Sequence, residues 1–503
     1  MSLPSALYSV AQVRAFDAQA IASQGVTGYM LMQRAGDAAL RALRTAWPNA
    51  QRVAIACGGG NNGGDGYVLA RLLRAAGLEV QLHAVVDPSA LQGDARRAWD
   101  DFCAAGGTLH PAAHPDASRC DVIVDALLGT GFRAPLRDPF VAAIAAINGS
   151  GRPVLALDIP SGLEGDTGQA PDGAIHASLT MSFVALKQGL CLAQGPECCG
   201  QLLFDSLGVQ LPGEGAQPPQ WRCLGDMELR TALPRRARDA HKGDFGHVLV
   251  VGGGPGMPGA ARLAGEASLR VGAGLVTVAT LPAHAAALTA TRPELMCVGV
   301  SDGASLAPWL SRCTVVAIGP GLGQDDWSRS LLAAVLSAGK PLILDADALN
   351  LLAAEGLRGL PPRSLLTPHP GEAARLLGIG SRDVQSDRRG ALLKLCERSG
   401  AVVVLKGRGT LVGRRNAVPA LCLAGNPGLA SGGMGDVLTG AIAGILAQCR
   451  DPWLAACAGV LIHARAGDEL ARRNGERGLL AGDVALALTA EANRGEWQRV
   501  VMP

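Results

Sequence analysis

Short apolar runs that end in glycine-rich or acidic loops, each followed by a helical stretch, recur along this chain. That alternation restricts the fold more than any other feature. RVAIAC (52–57) leads into GGGNNGGDG and then YVLARLLRAAG, and CDVIVDALLGTG (120–131) and PVLALDIPSG (153–162) repeat the form. LEVQLHAVV (78–86), HASLTMSFVAL (176–186) and GQLLFDSLG (200–208) read as further strands. A second series starts at HVLVVGG (247–253) and runs through LVTVAT, TVVAIGPG, PLILDADAL, SLLTPHPG and VVVLKGRG to a glycine-rich loop at 425–435. Strands alternating with helices predict an α/β fold with parallel sheets covered on both faces. Ligands of such sheets bind beyond the carboxyl ends of the strands, so strand-end residues are the candidates for function.

The two series are separated by LGVQLPGEGAQPPQ (207–220), which has no periodicity and is rich in Pro, Gly and Gln. It is the expected linker, dividing the 503 residues into domains over 1–213 and 222–503. The halves do not align as a repeat. Residues 8–47 read as helix ahead of the first strand.

Composition excludes several classes. Lysine and arginine number 45 against 43 acidic residues, a net charge of +2. That balance suits neither a nucleic-acid tail nor a membrane-surface patch. Aromatics at 3% leave little for base stacking. The N-terminus has no basic and apolar leader, and no apolar run is long enough to span a bilayer. Thirteen cysteines without a CxxC pair read as reduced thiols of a cytoplasmic protein. Only five basic residues are lysine, namely Lys187, Lys242, Lys340, Lys394 and Lys406.

In the first half, Gly58, Gly60 and Gly63 fit GxGxxG, as do Gly254, Gly256 and Gly259 in the second. With 67 glycines in the chain, that pattern arises by chance about once per 500 residues and means little alone. Asn61, Asn62 and Asp65 are the specific part. A helix N-terminus there offers N–H groups to phosphate, but Asp65 repels phosphate, so a plain dinucleotide fingerprint fits poorly. An Asx-capped turn is the structural alternative. Gly129, Thr130, Gly131 and Arg133 form a second candidate cradle. Asn62, Asp125, Asp158 and Ser161 are short oxygen-bearing side chains suited to holding Na⁺, K⁺ or Mg²⁺, to general acid/base work, or to helix capping.

In the second half, AGNPGLASGGMGDVLTG (424–440) places Gly432, Gly433 and Gly435 just before a helix that begins near Asp436. Free N–H groups at such a tip bind an anion and stabilise developing charge, and the Asp can take a proton from a hydroxyl, as in sugar-kinase sites. An Asp N-cap is the structural alternative. No GxxxxGK[ST], HRD or DFG occurs. Lys406, Gly407, Gly409 and Thr410 end a strand as a candidate nucleotide-phosphate loop. Asp345, Asp347, Asn350, His369 and Glu372 sit at two further strand ends. Asp345 or Glu372 suits Mg²⁺ held through water. His369 serves either ligand contact or a structural hydrogen bond.

CGGGNNGGDGYVLARLL, DALLGTG, LDIPSG and SFVALKQGL together resemble the NAD(P)H-hydrate epimerase domain, a Rossmann-like fold. The resemblance implies that Asn61, Asn62, Gly63, Gly64 and Asp65, with Gly129, Thr130, Gly131, Phe132, Arg133, Ala134 and Pro135, contact the hydrated nucleotide. It implies that Asn62, Asp125 and Ser161 hold potassium, and that Asp158 meets the reacting ring. HKGDFGHVLVVGG, IGPGLG, LDADALNLLA, LTPHPGEAARLLG, LKGRGT and GNPGLASGGMGDVLTG resemble the ADP- or ATP-dependent NAD(P)H-hydrate dehydratases, which are ribokinase-like. This implies nucleotide contacts at Lys406, Gly407, Arg408, Gly409, Thr410 and Gly435. Substrate contacts follow at Ala260, Gly321, Gly323, His369 and Asp436, with Asp436 catalytic. Met434 stands where that family usually has Ser. The whole chain thus resembles the bifunctional NAD(P)H-hydrate repair enzymes. ADP with Mg²⁺ is the expected co-substrate, a homo-oligomer the expected assembly, and neither nucleic acid nor membrane an expected partner. Two other readings compete: a vitamin-type small-molecule kinase with an accessory first domain, and a nucleotide-binding regulatory protein without turnover.

Overall fold

A computed structural model of the protein describes residues 3–494 except 111–114, 116, 214, 291 and 358. The chain forms two compact units, Met1–Trp221 and Arg222–Pro503.

In the first unit, β1 (Arg52–Cys57), β2 (Glu79–Ala84), β3 (Val122–Ala126), β4 (Val154–Leu157), β5 (Leu179–Phe183) and β6 (Gln201–Asp205) form a sheet in the order 2-1-3-4-5-6. Every pairing within it is parallel. β3, β4 and β5 are buried along their whole length, so they read as unbroken apolar runs rather than alternating ones. The predicted helical region 8–47 is two helices, α1 (Val10–Ser23) and α2 (Gly28–Ala46), broken at Gln24–Thr27. α3 (Asn61–Ala75) packs against α2 and α4 (Gly93–Ala104), and α5 (Phe140–Gly149) lies over a separate apolar cluster on β3 and β4. The strand order reverses between β1 and β3, which opens a crevice at their carboxyl ends. The loops after these strands approach closely. A Cβ on Gly58 would lie 1.8 Å from the Leu127 carbonyl oxygen, so only glycine fits.

The stretch 207–220 carries no helix or strand among its described residues, and Glu214 lies outside them. It is not a free tether. Leu207 and Val209 are buried in the first unit's core, and Gln12 Nε2 donates to the Pro218 carbonyl.

The second unit is built on β7 (His247–Val251), β8 (Leu275–Thr280), β9 (Met296–Gly299), β10 (Val315–Ile318), β11 (Leu342–Leu344), β12 (Ser364–Leu366) and β13 (Val402–Leu405). They run parallel in the order 9-8-7-10-11-12-13. β14 (Leu411–Gly413) and β15 (Ala420–Leu421) continue the sheet antiparallel. α6 (Pro258–Arg270), α8 (Met434–Cys449) and α9 (Pro452–Asn474) cover one face, while α7 (Pro370–Leu377) follows β12. α8 presses on α6 so tightly that a Cβ on Gly440 would meet the Ala264 carbonyl oxygen at 2.0 Å. That fit fixes the height of the helix tip that carries Asp436.

All thirteen cysteines are free. Among the described residues no helix is long and apolar enough to cross a membrane.

Candidate active sites

The first site is a cleft of about 870 Å³ at the β1/β3 switch point. Asn61, Asn62, Asp65, Gly129, Thr130, Gly131, Phe132 and Asp158 all line it. Gly63 and Gly64 do not; they lie beneath it, where a Cβ would strike the Gly58 carbonyl oxygen or the Met32 thioether. Arg133, Ala134 and Pro135 also lie outside the lining. The Arg133 guanidinium donates to the Phe132 carbonyl and stands 3.8 Å from Asp166.

Asn62, Asp125 and Ser161 converge on one peptide. Asn62 Nδ2 donates to the Leu128 carbonyl at 3.0 Å, and Leu128 N donates to Ser161 Oγ at 2.8 Å. Ser161 Oγ and N donate to the two oxygens of Asp125 at 2.6 and 2.8 Å. Asp125 is fully buried, and burial pushes its carboxyl up to about 6 although both Ser161 bonds pull it down. Asn62 Oδ1 is buried with no hydrogen-bond partner. This amide oxygen and the Asp125 carboxylate are hard oxygen donors of a kind that would fit potassium. Among the described residues no cluster of three or more His, Cys, Asp or Glu is placed to hold a metal ion.

Deeper in the same cleft, Asp158 Oδ1 bonds Lys187 Nζ and accepts from Phe183 N at 3.2 Å. Lys187 is 1% exposed, and its ammonium also donates to the Phe183 carbonyl at 2.8 Å and to Ser182 Oγ at 3.4 Å. Asp17 on α1 and Asp65 on α3 face this pair. Burial raises Asp17 to about 6, Lys187 working against the shift. Burial also raises Asp65 well above the carboxylate range, with Asp158 adding to it. The motifs gave no signal for Asp17. Lys187 had one, its rarity among 45 basic residues.

The second site gathers the ends of β11, β12 and β13 around the tip of α8. Asp345, 1% exposed, accepts from Thr367 Oγ1 and Lys406 Nζ at one oxygen and from Thr439 Oγ1 at the other, all at 2.8 Å. Glu372 lies 3.8 Å from the same ammonium. Burial works against the charge on Lys406, but Asp345 and Glu372 more than offset it and the pKa rises. Gly435 sits directly beside that ammonium. Asp436, in the first turn of α8, is pushed up to about 7 by burial and by Asp345, while Lys406 pulls it down.

His369 caps α7: its Nδ1 accepts from the Gly371 and Glu372 amides, and Nε2 lies 3.2 Å from Glu372 Oε1. An accepting Nδ1 puts the proton on Nε2, aimed at the carboxylate. Ala260 and Gly321 are adjacent, and Gly323 N donates to Asp347. Arg388, which the motifs missed, donates to the carbonyls of Leu405, Lys406 and Gly409 and so braces the loop carrying Gly407 and Arg408. Thr410 Oγ1 donates to the Gly407 carbonyl. Met434 is buried in the core and presents no hydroxyl to the site.

A parallel-sheet crevice with buried carboxylates, and a glycine-rich helix tip with a near-neutral Asp beside a lysine, define an α/β protein with two separate small-molecule sites of enzymic character. A family model described as NAD(P)H-hydrate dehydratase matches residues 248–489, and one described as YjeF-related protein N-terminus matches 28–189. The bifunctional NAD(P)H-hydrate repair enzyme of Coxiella burnetii is 48% identical over 478 residues, covering 95% of this chain and 97% of its own. That of Escherichia coli is 42% identical over 503 residues, covering 100% of this chain and 95% of its own. A crystal structure of a ribokinase-like superfamily protein from Enterococcus faecalis is 31% identical with a TM-score of 0.51, covering 55% of this chain and 96% of that one. The chain belongs to the bifunctional NAD(P)H-hydrate repair enzymes.

Proposed function

We propose that the first unit interconverts the R and S hydrates of NADH and NADPH, and that the second dehydrates the S form at the expense of ADP, giving NAD(P)H, AMP and phosphate. The observation that carries the second activity is the near-neutral Asp436 at the glycine-rich tip of α8, beside Lys406. Hydroxide is a poor leaving group and phosphate a good one. Asp436 takes the proton of the hydrate's C6 hydroxyl, and the oxygen attacks the terminal phosphorus of ADP as AMP departs. The phosphate then leaves C6 while a proton leaves C5, which restores the ring double bond. The amides of Gly433 and Gly435 and the ammonium of Lys406 stabilise the transferring group. Asp345 and Glu372, beside Lys406, are the carboxylates that would hold Mg²⁺ carried by the nucleotide, and the ion would neutralise phosphate charge there.

In the first unit, Asn62 and Asp125, with Ser161 behind them, would hold potassium. Bound there, the ion neutralises Asp125 and pins the loops that border the cleft. Asp158 works on the reacting carbon. Replacing K⁺ by Li⁺ or Cs⁺ should slow epimerisation alone, because cavity size and ligand number set such selectivity; equal rates in all three salts refute the potassium site. Free thiols throughout fit a reducing cytoplasm, and equilibrium sedimentation tests the expected homo-oligomer.

The deciding experiment is NAD(P)H recovery from a mixed R/S hydrate. With ADP, recovery should pass half and approach completion; without ADP there should be none. A phosphorylated product that accumulates instead identifies a kinase.

A further inference from the structure

We infer that Lys187 is a positioning residue for epimerisation: its buried ammonium holds the Asp158 carboxylate turned into the cleft, as the group that carries the substrate's proton. This rests on the reading of the first unit as the epimerase.

The geometry is that of a prepared base. Asp158 sits at φ 64°, in the left-handed region that non-glycine residues seldom occupy. Val184, a β-branched residue, has φ 65° and Leu207 has φ 53°. All three line the same cleft. Such backbone costs of order 1–3 kcal/mol per residue and persists where the surroundings over-determine it. Here the Phe183 amide and the Lys187 ammonium, one strand over, hold the Asp158 carboxylate in place. Lys187 is itself fixed by the Phe183 carbonyl and Ser182 Oγ. It borders the cleft, but all three bonds of its ammonium go to protein acceptors, Asp158, the Phe183 carbonyl and Ser182 Oγ. The charged groups facing the pair are Asp17 from α1 and Asp65 from α3, with Arg14 also on the cleft wall. Burial raises both of those carboxyls, while the direct bond of the ammonium goes to Asp158.

The chemistry needs one proton carrier. C6 of the hydrate bears a hydroxyl and the ring nitrogen. Asp158 takes the hydroxyl proton, C6=O forms, and the C6–N1 bond breaks with its electron pair going to N1. Asp158 delivers the proton to N1, whose electrons are shared with the conjugated carboxamide. After rotation of the aldehyde, N1 attacks its opposite face, Asp158 takes the N–H proton back, and the new hydroxyl receives it. Nothing is oxidised or reduced.

The test uses the full chain and pure R hydrate, following R-to-S conversion directly across pH. Lys187→Met should lower kcat for epimerisation by about 10–100-fold with little change in KM, and should move the acid limb of the rate profile to higher pH, since the carboxylate has lost its cation. Lys187→Arg keeps the charge and should return that limb toward its original position even where its maximal rate stays lower. Dehydration of pure S hydrate, carried by the second unit, should stay unchanged in both, and wild-type thermal unfolding of the first unit shows that it is folded. Asp158→Asn, isosteric with the native residue, should abolish the limb, and adding Lys187→Met to it should cost no more. An unmoved limb in Lys187→Met and Lys187→Arg, or additive losses in the double variant, overturns the role. A wild-type chain that dehydrates S hydrate but never converts R to S removes the epimerase reading itself.

Discussion

Each unit places a lysine against an aspartate at a strand end, Lys187 buried and Lys406 partly buried, yet the two pairs differ in which carboxylate the lysine serves. In the first unit Lys187 bonds Asp158, the residue on the cleft wall. In the second Lys406 bonds Asp345, a carboxylate already engaged by two threonines, while Asp436 beside it is pushed up to about 7. One lysine braces a carboxylate on the cleft wall; the other is tied to a carboxylate behind the site and stands beside Asp436. Under the proposed function the first arrangement suits a shuttle for a single proton, and the second suits a base that exchanges its proton near neutral pH. The same two residue types thus perform different work according to the third group in contact with them.

That contrast can be broken most sharply at Asp436. Asp436→Asn should lower dehydration by about 10²–10⁴-fold while leaving ADP affinity and R/S interconversion intact; NADH recovery at the wild-type rate would remove its role as base. Asp158→Ala should produce the complementary defect. A mixed hydrate with ADP should lose its S fraction quickly and keep its R fraction to the limit of spontaneous epimerisation, as read by chromatography. Equal loss of both activities would mean the two sites do not act separately.

A smaller effect is expected at Lys406. Lys406→Ala should raise the ADP requirement by about 10–150-fold, the range for a charge-assisted phosphate contact, and more than it lowers the maximal rate. Calorimetry with ADP checks this, and unchanged binding would confine Lys406 to holding Asp345. The same variant should shift the acid limb of dehydration upward, since Lys406 pulls Asp436 down. In the wild type, Asp436 accepts a proton only when ionised. Dehydration should therefore level off above pH 7 and fall up to tenfold per unit below it. A flat profile between pH 6 and 8 would assign the proton to another group.

Much of this was legible in the sequence because both folds concentrate function at strand ends. The loops at 58–66, 127–132 and 432–436 are marked by glycines, and the acidic residues at 125, 158, 345 and 436 follow apolar runs. What was not legible depends on elements far apart in sequence. Asp17 belongs to a helix that precedes the sheet and folds over its crevice, and no local pattern says so. Lys187 follows SFVAL, which reads as core; only the turn at Val184 brings the lysine back to Asp158. Gly63 and Gly64 belong to a binding motif, and they also admit the Gly58 carbonyl and the Met32 side chain at close range, which no local pattern announces. Lys406 read as a phosphate contact alone, since its tie to Asp345 spans 61 residues. The linker expected at 207–220 looked free because its composition is polar, whereas Leu207 and Val209 anchor it.

Asp345 joins four stretches of chain that lie far apart in sequence: its own strand end, Thr367 after β12, Lys406 after β13, and Thr439 on α8. A single carboxylate thus ties the ends of three strands to the helix that bears the glycine-rich tip, and the placement of Lys406 and the seating of α8 are referred to one residue.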